Sequence, residues 1–239
     1  MFSHKLNEKA SFKTYADWFV LSFLAGNINA GGFLACGRFV SHVTGFATLA
    51  GISLKDGNLL ETIGILSIPG YFLVGVMTSG YLTEKHRAID SHGQKYVPVL
   101  WMVAVCMALA ALGGVAHFFG QFGEPANLAH DYFLLALLCG ACGLQNAAIT
   151  SASGSTVRTT HLTGLTTDLG LGIIRAEVHP STPERRAQER RGNLLRLGTI
   201  GSFMIGSFVG ALFYSQFHYL GFLLPMVIAL YASFVASRG

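Results

Sequence analysis

The chain has 239 residues, of which 51% are hydrophobic and 12% charged, with a formal net charge of +4 and 29 glycines. Soluble domains carry about 25% charged residues, so this chain lacks the charge to cover a soluble surface, and it is too apolar to be disordered. Glycine without a three-residue period and four cysteines exclude collagen-like and disulfide-built classes, which leaves an all-α polytopic membrane protein.

Uncharged windows fall at 18–37, 39–54, 62–83, 96–123, 132–157 and 197–237. Crossing ~30 Å of hydrocarbon at 1.5 Å per residue takes about 20 residues. Windows 18–37, 62–83, 96–123 and 132–157 therefore predict one span each. The last window predicts two, broken near Gln216-Phe217-His218, for six transmembrane helices in all. None has the polar face of a buried helix in a soluble core. The polar first 16 residues carry Lys5, Lys9 and Lys13, and no small-residue cleavage site follows, so no cleavable signal sequence is expected.

Two shorter segments, 39–54 and 159–174, are rich in Gly, Thr and Leu, and both contain His-x-Thr-Gly: His42-Val43-Thr44-Gly45 and His161-Leu162-Thr163-Gly164. Upstream, Gly26-Asn27-Ile28-Asn29-Ala30 matches Gly143-Leu144-Gln145-Asn146-Ala147. Downstream, Phe72-Leu73-Val74-Gly75 matches Phe203-Met204-Ile205-Gly206. Three matches in the same order, about half the chain apart, predict a duplication with halves at about 17–120 and 131–237.

If the short segments do not cross the membrane and the N-terminus is cytoplasmic, 14 of the 16 basic residues fall inside, with only Arg38 and Lys55 outside. If they cross, the split is 11 to 5. The positive-inside rule favours the first arrangement. Three spans per half then invert the second half relative to the first, and both termini are cytoplasmic. Segments 39–54 and 159–174 become re-entrant or tilted pieces, as in the plan of secondary transporters. The stretch 175–193, with Pro180, Pro183 and the run Glu184 to Arg191, is expected as a cytoplasmic basic loop with a short solvated helix.

The residues Gly26, Asn29 and Ala30; Ser41, Thr44 and Gly45; Gly143, Gln145, Asn146 and Ala147; and Thr159 or Thr160 with Thr163 and Gly164 form a pattern over nearly the whole chain. It resembles the YoaK-like family of bacterial inner-membrane proteins of unknown function. The resemblance implies a multi-pass inner-membrane protein, often assumed to be a transporter, and carries no catalytic residues. The family pattern has an Asp where this chain has Asn29 and an Asn where it has Phe46. An Asn cannot shuttle a proton, so the resemblance supports no proton-coupling role there.

Asn29, Gln145 and Asn146 lie in apolar spans, where hydrocarbon cannot satisfy their amides. They serve either a solute or a neighbouring helix. His42 and His161 begin the short segments and suit solute hydrogen bonding, or they reach headgroups. Asp168 is the acid inside a short segment; Arg158 or Arg175 could partner it, or it lies on an interfacial face. Cys139-Gly140-Ala141-Cys142 reads as packing, because a redox or zinc site needs exposed thiolates or further ligands. The glycines of Gly206-Ser207-Phe208-Val209-Gly210, the set Gly70, Gly75 and Gly80, and the pair Gly113-Gly114 read as close helix contacts.

The expected function is a permease for a small solute. Its candidate site comprises Asn29, Ser41, His42, Thr44, Gly45, Gln145, Asn146, Thr160, His161, Thr163, Gly164 and Asp168. No metal, cofactor, catalytic residue or nucleic-acid partner is expected; the partners are the lipid bilayer and the solute, with a homo-oligomer left open. The alternative is a membrane scaffold or sensor acting through the basic stretch.

Overall fold

The computed structural model describes residues 12–85, 94–125, 129–154, 157–178 and 182–238. Lys5, Lys9, Arg87 and Pro180 lie outside the described residues. Eight α-helices follow in order: α1 Phe12–Cys36, α2 Val43–Lys55, α3 Leu59–Lys85, α4 Val97–Val115, α5 Ala129–Ala152, α6 Leu162–Glu177, α7 Pro183–Phe217 and α8 Leu223–Ser237. Single 3-10 turns, Gln94–Tyr96 and His218–Phe222, precede α4 and α8.

Five stretches are long and apolar enough to cross a membrane, and the fifth, Pro183–Ser237, holds both α7 and α8. Large apolar side chains stand exposed along these helices, among them Leu60, Met77, Leu112, Phe208 and Phe234. A soluble monomer does not expose apolar surface on that scale. The chain is an all-helical, polytopic membrane protein.

The break between α7 and α8 falls at Phe217–His218, where the positive φ of His218 turns the chain out of the helix. In the basic stretch 175–193, the described residues up to Glu177 end α6 and those from Pro183 form the first turns of α7, so the helix expected there is not short: α7 runs unbroken for 35 residues. Thr182 accepts a hydrogen bond from the Arg185 N–H, Pro183 occupies the first helical position and Glu184 faces the N-terminal dipole. These are sufficient start signals for a helix. Arg190 then reaches back to Glu177 at 3.2 Å and ties α7 to α6.

Helices α1 and α5 are the most deeply buried spans. The principal packed pairs are α1 with α7, α3 with α5, α2 with α3, α6 with α7, α4 with α5, α1 with α8, α4 with α8 and α1 with α5. Exchanging α1–α4 for α5–α8 maps this set of pairs onto itself.

The same exchange holds atom by atom at the two closest crossings. A Cβ on Gly26 would overlap the Phe203 carbonyl of α7, and one on Gly143 would overlap the Phe72 carbonyl of α3. Conversely, Gly206 lies against the Phe23 carbonyl and Gly75 against the Gly140 carbonyl. Backbones meet at all four points because hydrogen occupies the place of a side chain; in lipid, such packing drives helix association. Gly70 and Gly80, by contrast, face open space. Gly114 accommodates the Tyr219 ring and Gly113 the Phe119 ring, neither making a backbone-to-backbone crossing.

Polar side chains reinforce the α1–α7 seam. Ser22 donates to the Thr199 carbonyl at 2.7 Å, Ser207 to the Gly26 carbonyl at 3.1 Å, and the Tyr214 hydroxyl to Asn27 Oδ1 at 3.1 Å. Cys139 and Cys142 are buried free thiols on α5.

Candidate functional site

Both short helices begin beside an asparagine of the preceding span. Asn29 Oδ1 accepts from the Val40 N–H at 3.2 Å and from the Ser41 hydroxyl at 3.0 Å. Asn146 Oδ1 accepts from the Thr160 N–H at 3.4 Å and the Thr159 hydroxyl at 3.5 Å. One amide carbonyl in each half thus clamps the connection that leads into α2 or α6. Asn29 lies seven residues before the end of α1, ~10 Å down the helix axis. The clamp therefore holds the start of α2 well below the end of the span. With 13 residues, α2 extends only ~20 Å, too little to cross.

His42 and His161 are the residues immediately before α2 and α6, and neither side chain caps its helix. The first-turn N–H groups of α2 and α6 therefore have no side-chain partner in either cap. The His161 ring folds back over the first turn so closely that a Cβ on Gly164 would strike it, whereas His42 leaves space at Gly45.

A cavity of about 910 Å³ lies where the two clamps meet. Its wall contains Asn29, Ser41, His42, Val43, Thr44 and Phe72 from the first half. Their counterparts Asn146, Thr160, His161, Leu162, Thr163 and Phe203 come from the second. Gly45, Val76, Ala147, Thr150, Ser151 and Arg158 complete it. Nine of the twelve residues expected at a site are brought together here.

Three are not. Gln145 is fully buried beside the cavity and donates through Nε2 to the Leu21 carbonyl, joining α5 to α1. Gly164 sits behind the His161 ring. Asp168 is on the exposed side of α6, outside the cavity wall, and among the described residues it forms no ion pair with Arg158 or Arg175. Among the described residues the buried acids are instead Asp17, in the second turn of α1, and Asp131, in the first turn of α5. Asp131 accepts from the Gly120 N–H at 3.0 Å and secures the turn after α4.

A family model described as a protein of unknown function (DUF1275) matches residues 18–236. The chain belongs to the DUF1275 family. No curated protein and no solved structure matches it. In this DUF1275 member nine wall residues lie outside the expected set, and Phe72, Phe203 and Arg158 are the ones that bear most on what the cavity can hold. The two phenylalanines were visible as members of the downstream repeat match, and only their use as cavity walls was not.

Proposed function

We propose that the chain is a permease of the bacterial inner membrane, with the YoaK-like resemblance as its finer family placement. It moves a small solute through the cavity between two inverted halves, 17–120 and 131–237, with both termini cytoplasmic. The observation that carries this reading is that six equivalent pairs of residues, one member from each half, line one cavity. Packing alone requires no polar space on such an axis. A volume of about 910 Å³ suits a metabolite-sized molecule, held by a few polar groups against the apolar Phe72 and Phe203 walls.

Broken elements near the midplane are how inverted-repeat transporters present backbone N–H groups to a solute, and irregular backbone at that depth is tolerated where it lines a cavity. Here α2 and α6 supply the two starts, with Thr44 and Thr163 in their first turns.

The test is uptake into proteoliposomes across a panel of small metabolites, with the active solute retested on His42→Ala, His161→Ala protein. The double variant is expected to lose at least about 90% of uptake while remaining folded, since both rings border the cavity and neither holds a cap. Unchanged uptake would remove the histidines from the site. Absence of uptake for every solute, in protein shown to be folded, would count against the permease.

A further inference from the structure

The cavity is not symmetric, and its asymmetry carries a charge. Thr150 and Arg158 line it in the second half. At the repeat offsets of 117 and 119, their first-half counterparts are Phe33 and Phe39. Those two rings stack on each other at 4.5 Å, with His42 against Phe39 at 4.9 Å, and neither phenylalanine lines the cavity. The cavity therefore extends toward the C-terminal end of α5, past Ala147, Thr150 and Ser151, and does not extend along the matching end of α1. Whatever enters from the α5 end meets Arg158.

Resting on the permease reading, we propose that the solute is a small anion and that Arg158 selects it. Among the described residues Arg158 is the one fully charged side chain in the wall, and none of them there is a carboxylate. Its guanidinium makes no ion pair or hydrogen bond among the described residues, and Asp168, the acid nearest in sequence, lies outside the wall. A guanidinium always carries its charge and offers five donors matched to carboxylate, phosphate or sulfonate oxygens. Arg158 is exposed at the cavity wall, so its guanidinium is open to an anion that enters, and no carboxylate of the described wall competes for it. The hydroxyls of Thr44, Thr160 and Thr163 and the first-turn N–H groups of α2 and α6 add donors to the same space. The facing phenylalanines suit an anion with an apolar body. The same chemistry serves organic carboxylates and phosphate esters.

The experiment reads the cavity's charge preference without knowing the solute. A single cysteine is placed at Ala147, in full-length protein carrying Cys106→Ala; Cys36, Cys139 and Cys142 are buried. Labelling rates are measured with the anionic sulfonatoethyl and the cationic trimethylammonioethyl methanethiosulfonates. Each is normalised to an exposed reference cysteine at Glu124. The normalised anion-to-cation ratio is expected to be about tenfold above the reference. Arg158→Gln should abolish that excess and Arg158→Lys should keep most of it. Arg158 is exposed and unpaired, so both variants are expected to fold.

A ratio equal to the reference and indifferent to Arg158→Gln would overturn the anion assignment and make Arg158 a headgroup anchor, leaving the permease reading in place. Failure of both reagents to reach Ala147→Cys would show a cavity closed to water, and both readings would fall together.

Discussion

Alanine at Gly26 or at Gly143 is expected to destabilise the protein by about 1–3 kcal/mol, a fall of roughly 2–12 °C in the thermal midpoint of the detergent-solubilised chain. Each new methyl would lie within the van der Waals shell of a backbone carbonyl, Phe203 for Gly26 and Phe72 for Gly143. Neither carbonyl can turn away as a flexible side chain would, because each belongs to a helical hydrogen-bond ladder. The helices must separate instead, and the α1–α7 or α3–α5 seam loses contacts along its length. The bulkier Gly26→Leu and Gly143→Leu should leave little folded protein. Gly70→Ala and Gly80→Ala provide the contrast. Nothing lies near the added methyl at either position, and alanine is the better helix former by about 0.5–1 kcal/mol. Those variants should match or exceed the parent. Equal behaviour of all four alanines would show that the crossings are not closed by glycine.

The second large effect concerns the asparagine clamps. Removing the amide in Asn29→Ala leaves the Val40 N–H and the Ser41 hydroxyl without their acceptor, and Asn146→Ala does the same to Thr159 and Thr160. A buried donor left unpaired costs about 1–3 kcal/mol, which the loop recovers by detaching from the span. Each clamped connection contains a trypsin site, Arg38 in the first and Arg158 in the second. Asn29→Ala should therefore speed tryptic cleavage at Arg38 roughly tenfold, and Asn146→Ala should do so at Arg158. Asn29→Asp retains an acceptor oxygen and is expected to hold the parental rate. Cleavage unaffected by either alanine would mean the amides join helices without positioning the starts of α2 and α6.

Much of this arrangement was legible in the residues, because the repeat is written where geometry is strictest. Gly26 and Gly143, and Gly75 and Gly206, must be glycine at a backbone crossing, so they remain recognisable in both halves. Asn29 and Asn146 likewise each hold a chain connection that no apolar residue could hold. Charge misled in two places. The arginine-rich stretch before residue 192 reads as a loop with a short solvated helix, whereas its helix is the beginning of the 35-residue α7, started by Thr182-Pro183-Glu184. Asp168 drew attention as an acid within an apolar segment, yet helical geometry turns it away from the cavity. Arg158 was considered only as a partner for that acid, since its position on the cavity wall depends on where the Asn146 clamp leaves the loop. Gln145 shows the limit of pattern: one residue before Asn146, it points to α1 and serves packing.

The central claim is that the starts of α2 and α6 open into one shared cavity, although their segments sit in opposite halves of the sequence. The most direct measurement labels Thr44→Cys and Thr163→Cys with a membrane-impermeant thiol reagent, added separately to each face of sealed vesicles. Both cysteines line the cavity, which runs toward the α5 end, so both should react from the same face, the one exposing Arg158. Reaction of Thr44→Cys only from the opposite face would place the two starts on separate surfaces and contradict the account.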